Sequence, residues 1–170
     1  NLFANRIYLK FNQIKPWYIY DKYKLLGNIK FLNHQLTEKH LLPKSVIFAS
    51  AHIEEIEFHI KIFLQLEDYV LIYVPRHLNC KDEIINKLNK FNLNWCDDID
   101  DINITKNKKI INIFWKFGIL NSLYNITQIT VMGGTFDNTG GHNIIEPIVN
   151  RNKGIFSKIS RNASDFLTLF

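Results

Sequence analysis

Tyr69-Val70-Leu71-Ile72-Tyr73-Val74-Pro75 is the stretch on which the fold turns. Its first six residues are strong β-formers without polar alternation, the pattern of a strand covered on both faces, and a proline stops it. Upstream, Ser45-Val46-Ile47-Phe48-Ala49 is a second short apolar run. Between the two, residues 54–67 carry Ile56, Ile60, Phe63 and Leu64 at helical spacing. Downstream, residues 80–91 present Ile84, Leu88 and Phe91 as a second helical face, and residues 93–96 make a weak strand. Residues 109–114 read as a strand, 118–125 as a short helix, 128–132 as a strand and 144–149 as the opening of a helix. Such alternation predicts parallel pairing in a doubly wound, Rossmann-like α/β sheet.

In a sheet of that kind ligands sit at the carboxyl ends of the strands. Four loops are then of interest: Ser50-Ala51-His52, Pro75-Arg76-His77, the corner at residues 114–118, and residues 133–146. Residues 44–170 hold all of these elements. Residues 1–43 mix aromatic, Lys and Asn residues around Pro16, Gly27 and Pro43, without clean periodicity, and read as an arm or linker.

The chain has 170 residues, 46% hydrophobic and 22% charged, with a mean hydropathy of -0.10. That is enough to bury one core and excludes a disordered or multispanning chain. Its 26 Ile, 20 Asn and 17 Lys are residues that A/T-rich codons favour, so the net charge of +5 reads as scattered lysine and not as a binding stripe. With only four Arg, nucleic-acid binding is not expected. Cys80 and Cys96 have neither CxxC spacing nor a paired histidine, which points to free thiols and no zinc site. No apolar run is long enough to span a bilayer, and the chain opens on Asn1, as a piece of something longer would.

The richest loop is Gly133-Gly134-Thr135-Phe136-Asp137-Asn138-Thr139-Gly140-Gly141-His142-Asn143-Ile144-Ile145-Glu146-Pro147, which holds four of the seven glycines. Paired glycines permit positive φ and close approach of a ligand. Pro147 fits only a first helical turn, so a helix starts at about residues 143–146 with its free N–H groups at the sheet's carboxyl edge, an end suited to phosphate. There Glu146 either accepts ribose hydroxyls or completes a capping box with Asn143 as cap. His142 either donates to a phosphate or sugar or is a satisfied loop residue.

Gly133-Gly134-Thr135 followed by residues 140–147 resembles the signature of the bacterial lipopolysaccharide Kdo transferases. Reinforcing segments occur in the same order: Gly27-Asn28-Ile29-Lys30-Phe31, Ala49-Ser50-Ala51-His52 with Glu54 and Glu55, and Val74-Pro75-Arg76-His77. The resemblance covers residues 26–150. It implies the C-terminal, nucleotide-binding half of a GT-B glycosyltransferase that moves 3-deoxy-D-manno-octulosonic acid (Kdo) from CMP-Kdo to a lipid A precursor, without a metal. It implies CMP contacts from Pro75, Arg76, the backbone of Phe117, Gly118 and Ile119, and Asn143, Ile144, Ile145 and Glu146. Ser50 and His52 match a loop facing the interdomain cleft, where contact with the sugar carboxylate is one reading and a plain strand-end turn the rival. His77, Gly133, Gly134, Thr135, Gly141 and His142 complete the sugar side.

The departures are as specific. Where the family has Asp-Thr-Met-Gly-Glu-Leu, this chain has Trp115-Lys116-Phe117-Gly118-Ile119-Leu120, so a carboxylate at position 119 is lost. The family's catalytic base is a Glu of the N-terminal domain, and neither Glu54 nor Glu55 takes its place. The acidic run Asp97, Asp98, Asp100 and Asp101 reads as a solvated loop. The resemblance further implies a missing N-terminal domain, a lipid A precursor and the cytoplasmic face of the bacterial inner membrane as partners, with no nucleic acid. The rival readings are a GT-B transferase of another nucleotide sugar and an inactive remnant that keeps the scaffold.

Overall fold

The computed structural model describes residues 42, 44–66, 68–97, 104–105, 107, 109–136 and 141–155. The arm expected over residues 1–43 lies outside these apart from Leu42, as do residues 98–101 of the acidic run and everything after residue 155.

Among the described residues six strands form one sheet: β1 (Ser45–Ala51), β2 (Val70–Pro75), β3 (Asn94–Cys96), β4 (Ile110–Ile113), β5 (Ile129–Met132) and β6 (Lys153–Ile155). Their order is β3-β4-β2-β1-β5-β6, and every pair is parallel. The apolar runs of β1 and β2 are buried at every residue because both strands are central and both sheet faces are covered. On one face, α1 (Ile56–Phe63) and α2 (Lys81–Lys90) pack Ile56, Ile60, Phe63, Ile84 and Leu88 against Phe48, Tyr73 and Ile113. On the other, α3 (Leu120–Ile126) and α4 (Ile145–Val149) lie over Ile47, Ala49, Ile72 and Met132, with Leu123 and Tyr124 of α3 buried there. Adjacent strand residues thus feed opposite cores, as period-two geometry requires.

Two expected core positions fall outside the helices. Leu64 caps α1 and Phe91 caps α2, and both are exposed because the chain turns there before the buried stripe returns. Strand β6 is an addition to the sequence reading: three exposed residues paired, among the described residues, to β5.

Polar groups inside the fold are tied to backbone. The Asn112 side-chain amide donates to Leu71 O at 3.0 Å, and its Oδ1 accepts the Thr105 N–H at 2.8 Å, pinning residues 104–105 over the sheet. The buried Asn152 amide donates to Tyr124 O at 2.7 Å, while its Oδ1 accepts from the Thr127 hydroxyl at 3.1 Å.

The chain leaves β1 toward β2 on one side and later crosses to β5 on the other. The crevice where the order reverses, the usual ligand position in open α/β sheets, therefore lies at the carboxyl ends of β1 and β5.

Candidate functional site

Since all strands point the same way, the four loops share one edge. The neighbour order β4-β2-β1-β5 lines up the corner at Phe117, then Pro75-Arg76-His77, then Ser50-Ala51-His52, then residues 133–136 after β5. The β1 end is bent: pairing with β2 slips between Ala49 and Ala51, and Ser50 takes φ 51. A bulge with positive φ re-aims the strand end. The Arg76 N–H donates to Ala51 O at 2.9 Å, which ties the β2 loop to it, while the Arg76 and His77 side chains are exposed.

Gly133 is a glycine for packing reasons. A Cβ there would stand 2.1 Å from Ser50 O and 2.7 Å from Ala51 Cα, so the two strand ends touch backbone to backbone. The turn that follows is anchored from below by Glu55. This carboxylate, 4% exposed, accepts the N–H of Gly134 and of Phe136, each at 2.9 Å, and that of His52 at 3.4 Å. The Gly133 N–H donates to Ala49 O, and the Thr135 hydroxyl to Met132 O at 2.7 Å. The donors of Gly133 and Gly134, and the Thr135 hydroxyl, are thus engaged within the fold, and these three residues shape the crevice as scaffold. Glu55 is the residue that sequence reasoning passed over; the signal was the His52-x-x-Glu55 spacing of a capping box at the 3-10 turn Ile53–Glu55.

Three histidines meet beside this turn. His52 Nε2 and His142 Nε2 are 2.6 Å apart, joining the β1 end to the far end of the glycine loop. The ring of His77 packs edge-on to that of His52, with centroids 5.8 Å apart. His52 is buried and His142 half-buried. Gly141, with φ 81, allows the chain to reverse into His142.

Of the residues matched to CMP contacts, Pro75 ends β2 and Arg76 follows it, while Ile119 and Ile144 lie on the other helical face. Ile119 precedes α3 and Ile144 precedes α4 as their N-cap residues, and both are buried in one cluster. The Asn150 amide donates to Asn121 Oδ1 at 3.1 Å, linking the two helices. Gly118 has φ 79, and a Cβ there would meet nothing, so backbone conformation and not space calls for glycine. Phe117 beside it is 70% exposed. Helix α4 begins at Ile145, so Asn143 is not its cap. Instead the Asn143 side-chain amide donates to Glu146 Oε1 at 2.8 Å, holding the half-buried carboxylate in place in the first turn. Position 119 presents buried Ile, so the family's carboxylate has no counterpart there.

Behind Glu55 lies His59, fully buried between Phe48 and Tyr73, with ring centroids 4.9 and 5.8 Å away. Among the described residues, neither ring nitrogen nor the Tyr73 hydroxyl has a hydrogen-bond partner. Glu55 Oε2 stands 4.0 Å from His59 Nε2, beyond hydrogen-bond reach. Burial, with a smaller contribution from His52, lowers the His59 pKa from 6.5 to about 3, and burial pushes the Tyr73 phenol well above its ordinary value. Asp97, first of the acidic run, pairs with Lys81 at 2.7 Å. Among the described residues no group of three or more His, Cys, Asp or Glu is arranged to hold a metal ion, and no helix is long and apolar enough to cross a membrane.

No family model matches the chain. Over 127 residues it is 30% identical to the 3-deoxy-D-manno-octulosonic acid transferase of Aquifex aeolicus, covering 71% of this chain and 34% of that protein. Over 142 residues it is 25% identical to the enzyme of the same name from Chlamydophila psittaci, covering 75% of this chain and 32% of that protein. It is also 37% identical over 123 residues to a bifunctional glycosyltransferase/methyltransferase of Fusobacterium nucleatum, covering 72% of this chain and 19% of that protein. The chain thus spans about a third or less of the length of the curated relatives it matches. Its fold is that of the crystal structure of the C-terminal CMP-Kdo binding domain of WaaA from Acinetobacter baumannii, with a TM-score of 0.61 at 23% identity over 78% of this chain and 69% of that one.

Proposed function

Since this chain is a relative of the Kdo transferases and has the fold of a WaaA C-terminal domain, we propose that it is the donor-binding half of a glycosyltransferase that moves Kdo from CMP-Kdo to a lipid A precursor. One observation carries the reading: Ile119 and Ile144, the residues that precede α3 and α4, are buried in one cluster, with Gly118 beside the first and an oriented Glu146 in the first turn after the second. Together these segments offer backbone donors of first helical turns and a carboxylate for ribose hydroxyls.

In this reading Arg76 meets the nucleotide phosphate with a permanent positive charge, and the helix-end amides add oriented dipoles as CMP departs. No metal is called upon. The sugar side is formed by Ser50, His52, His77 and His142 at the reversal of strand order, and Glu55 ties the backbone of His52 to the glycine turn. The general base that deprotonates the acceptor hydroxyl belongs to an N-terminal domain, so these residues alone bind donor without turnover. The intact enzyme reaches its lipid acceptor peripherally at the cytoplasmic face of the inner membrane.

Calorimetric titration of the chain with CMP and with UDP tests the reading, using Glu146→Ala as control. CMP binding at about millimolar Kd or tighter, abolished by the substitution, is the expected result. Preference for UDP moves the chain to another donor class, and binding of neither nucleotide to folded protein overturns the donor site.

A further inference from the structure

Glu55 is a buried carboxylate, 4% exposed, and no lysine or arginine among the described residues pairs with it. His59 Nε2 stands 4.0 Å away and is held neutral by burial. A carboxylate taken out of water without a cation persists only where hydrogen bonds replace its lost solvation. Glu55 has three, all from backbone: Oε1 accepts from Phe136 at 2.9 Å, and Oε2 accepts from Gly134 at 2.9 Å and from His52 at 3.4 Å.

Those amides belong to two loops. His52 follows β1, whereas Gly134 and Phe136 follow β5, so one group spans the crevice where the strand order reverses. Satisfying amides for stability alone calls for no charge, since carbonyl oxygens do so at the neighbouring Gly133 and Arg76. What the carboxylate adds is two acceptor oxygens and no donor, which fixes both loops to one point and sets their separation. Phe136 carries the consequence outward. Its amide is held from below, while its ring, 36% exposed, lies against that of Phe58 with centroids 4.9 Å apart.

We propose that Glu55 is a positioning residue for the sugar end of the donor, setting the spacing between the His52 backbone and the Gly134–Phe136 turn without acting on the nucleotide end. This rests on the donor-binding reading. The nucleotide end is anchored separately: Glu146 is held by Asn143 at 2.8 Å, and Asn150 ties α4 to Asn121 of α3 at 3.1 Å. Neither contact passes through Glu55.

Glu55→Gln keeps the size of the side chain and one acceptor oxygen, and sets an NH2 group against one of the loops. With its oxygen toward Gly134 and His52, Phe136 loses its acceptor; turned the other way, Gly134 and His52 lose theirs. Either orientation frees one wall of the crevice from the other.

Calorimetric titration of wild type and Glu55→Gln with CMP, and separately with CMP-Kdo, measures the two ends of the site. In the wild type CMP-Kdo is expected to bind more tightly than CMP. In Glu55→Gln the Kd for CMP is expected to stay within about twofold, while that for CMP-Kdo rises about tenfold or more, toward the value for CMP. A carboxylate that serves stability alone shifts both ligands by the same factor or shifts neither, and either result overturns the proposal. If Glu55→Gln does not fold, amide hydrogen exchange of the wild type decides: Gly134 and Phe136 are expected to exchange more slowly with CMP-Kdo bound than with CMP, and equal rates overturn the role. Equal wild-type affinity for CMP and CMP-Kdo leaves the nucleotide site standing and overturns the sugar-end assignment. Binding of neither compound to folded wild type overturns the donor reading itself and leaves Glu55 with its effect on stability alone.

Discussion

The carboxylate of Glu55 holds the backbone N–H of Gly134 at 2.9 Å across 79 residues of sequence. With the Phe136 and His52 amides on the same group, it joins the β1 end to the glycine turn, the two loops that bracket the crevice. Removing one partner of a buried, charge-assisted bond leaves unsatisfied donors at about 1–3 kcal/mol each. Glu55→Ala is therefore expected to lower the unfolding free energy by several kcal/mol. Glu55→Gln, which keeps one acceptor oxygen but puts an NH2 group against an amide donor, loses less. Chemical denaturation measures both, and equal stability of all three proteins would show that the clamp is not formed in solution.

Gly133 faces Ser50 O with no room for a methyl group. Gly133→Ala must push apart strand ends that are also fixed by the Gly133 N–H to Ala49 O bond, a strain of the overpacking kind at about 1–3 kcal/mol. Gly118→Ala is a useful contrast. Its Cβ meets nothing, and only φ 79 opposes it, so it is expected to cost about 1 kcal/mol and to leave the crevice intact. Thermal melts of the two variants give the ranking; a larger loss at Gly118 would contradict it.

How much of this was readable in advance depended on the kind of signal. The central strands announced themselves because burial on both faces writes an unbroken apolar run, as in residues 69–74. Strand β6 did not, because Lys153-Gly154-Ile155 is a short exposed strand paired, among the described residues, to β5. The start of α4 was read two residues early at its lower bound, because Pro147 is tolerated anywhere in a first turn. The four loops were found from strand polarity alone. What could not be read was which of their polar groups are spent on the fold itself: the glycine turn looks like a ligand cradle in sequence, and only Glu55 beneath it shows its donors already taken. The meeting of His52 and His142 is a product of strand order, to which spacing along the chain gives no clue.

His59 predicts an acid sensitivity with a definite sign. Its pKa is about 3 in the fold against 6.5 unfolded. Between those values the unfolded chain binds a proton that the native state refuses, so stability falls as the pH drops from about 6.5 toward about 3. The slope approaches about 1.4 kcal/mol per pH unit once the unfolded imidazole is charged. His59→Phe removes this dependence and two unpaired buried nitrogens together. The difference between wild type and variant in melting temperature, followed from pH 7 to pH 5, is expected to widen in favour of the variant. A constant difference would mean that His59 gains a proton in the native state as readily as in the unfolded chain.

Phe117 separates binding from folding. At 70% exposure its side chain contributes little to the core, so Phe117→Ala is expected to change stability by less than about 0.5 kcal/mol. A large exposed ring beside Gly118, at the carboxyl edge of the sheet just before α3, has more to offer a planar base than to the fold. Aromatic stacking on a base contributes about 1–3 kcal/mol, so the substitution is expected to weaken CMP binding by about 5- to 150-fold, with the melting temperature unmoved. Phe117→Trp enlarges the same face and is expected to retain or improve affinity. If alanine leaves CMP affinity unchanged while Glu146→Ala abolishes it, the base lies over backbone at Gly118 and Ile119, and the ring at position 117 takes no part in holding it.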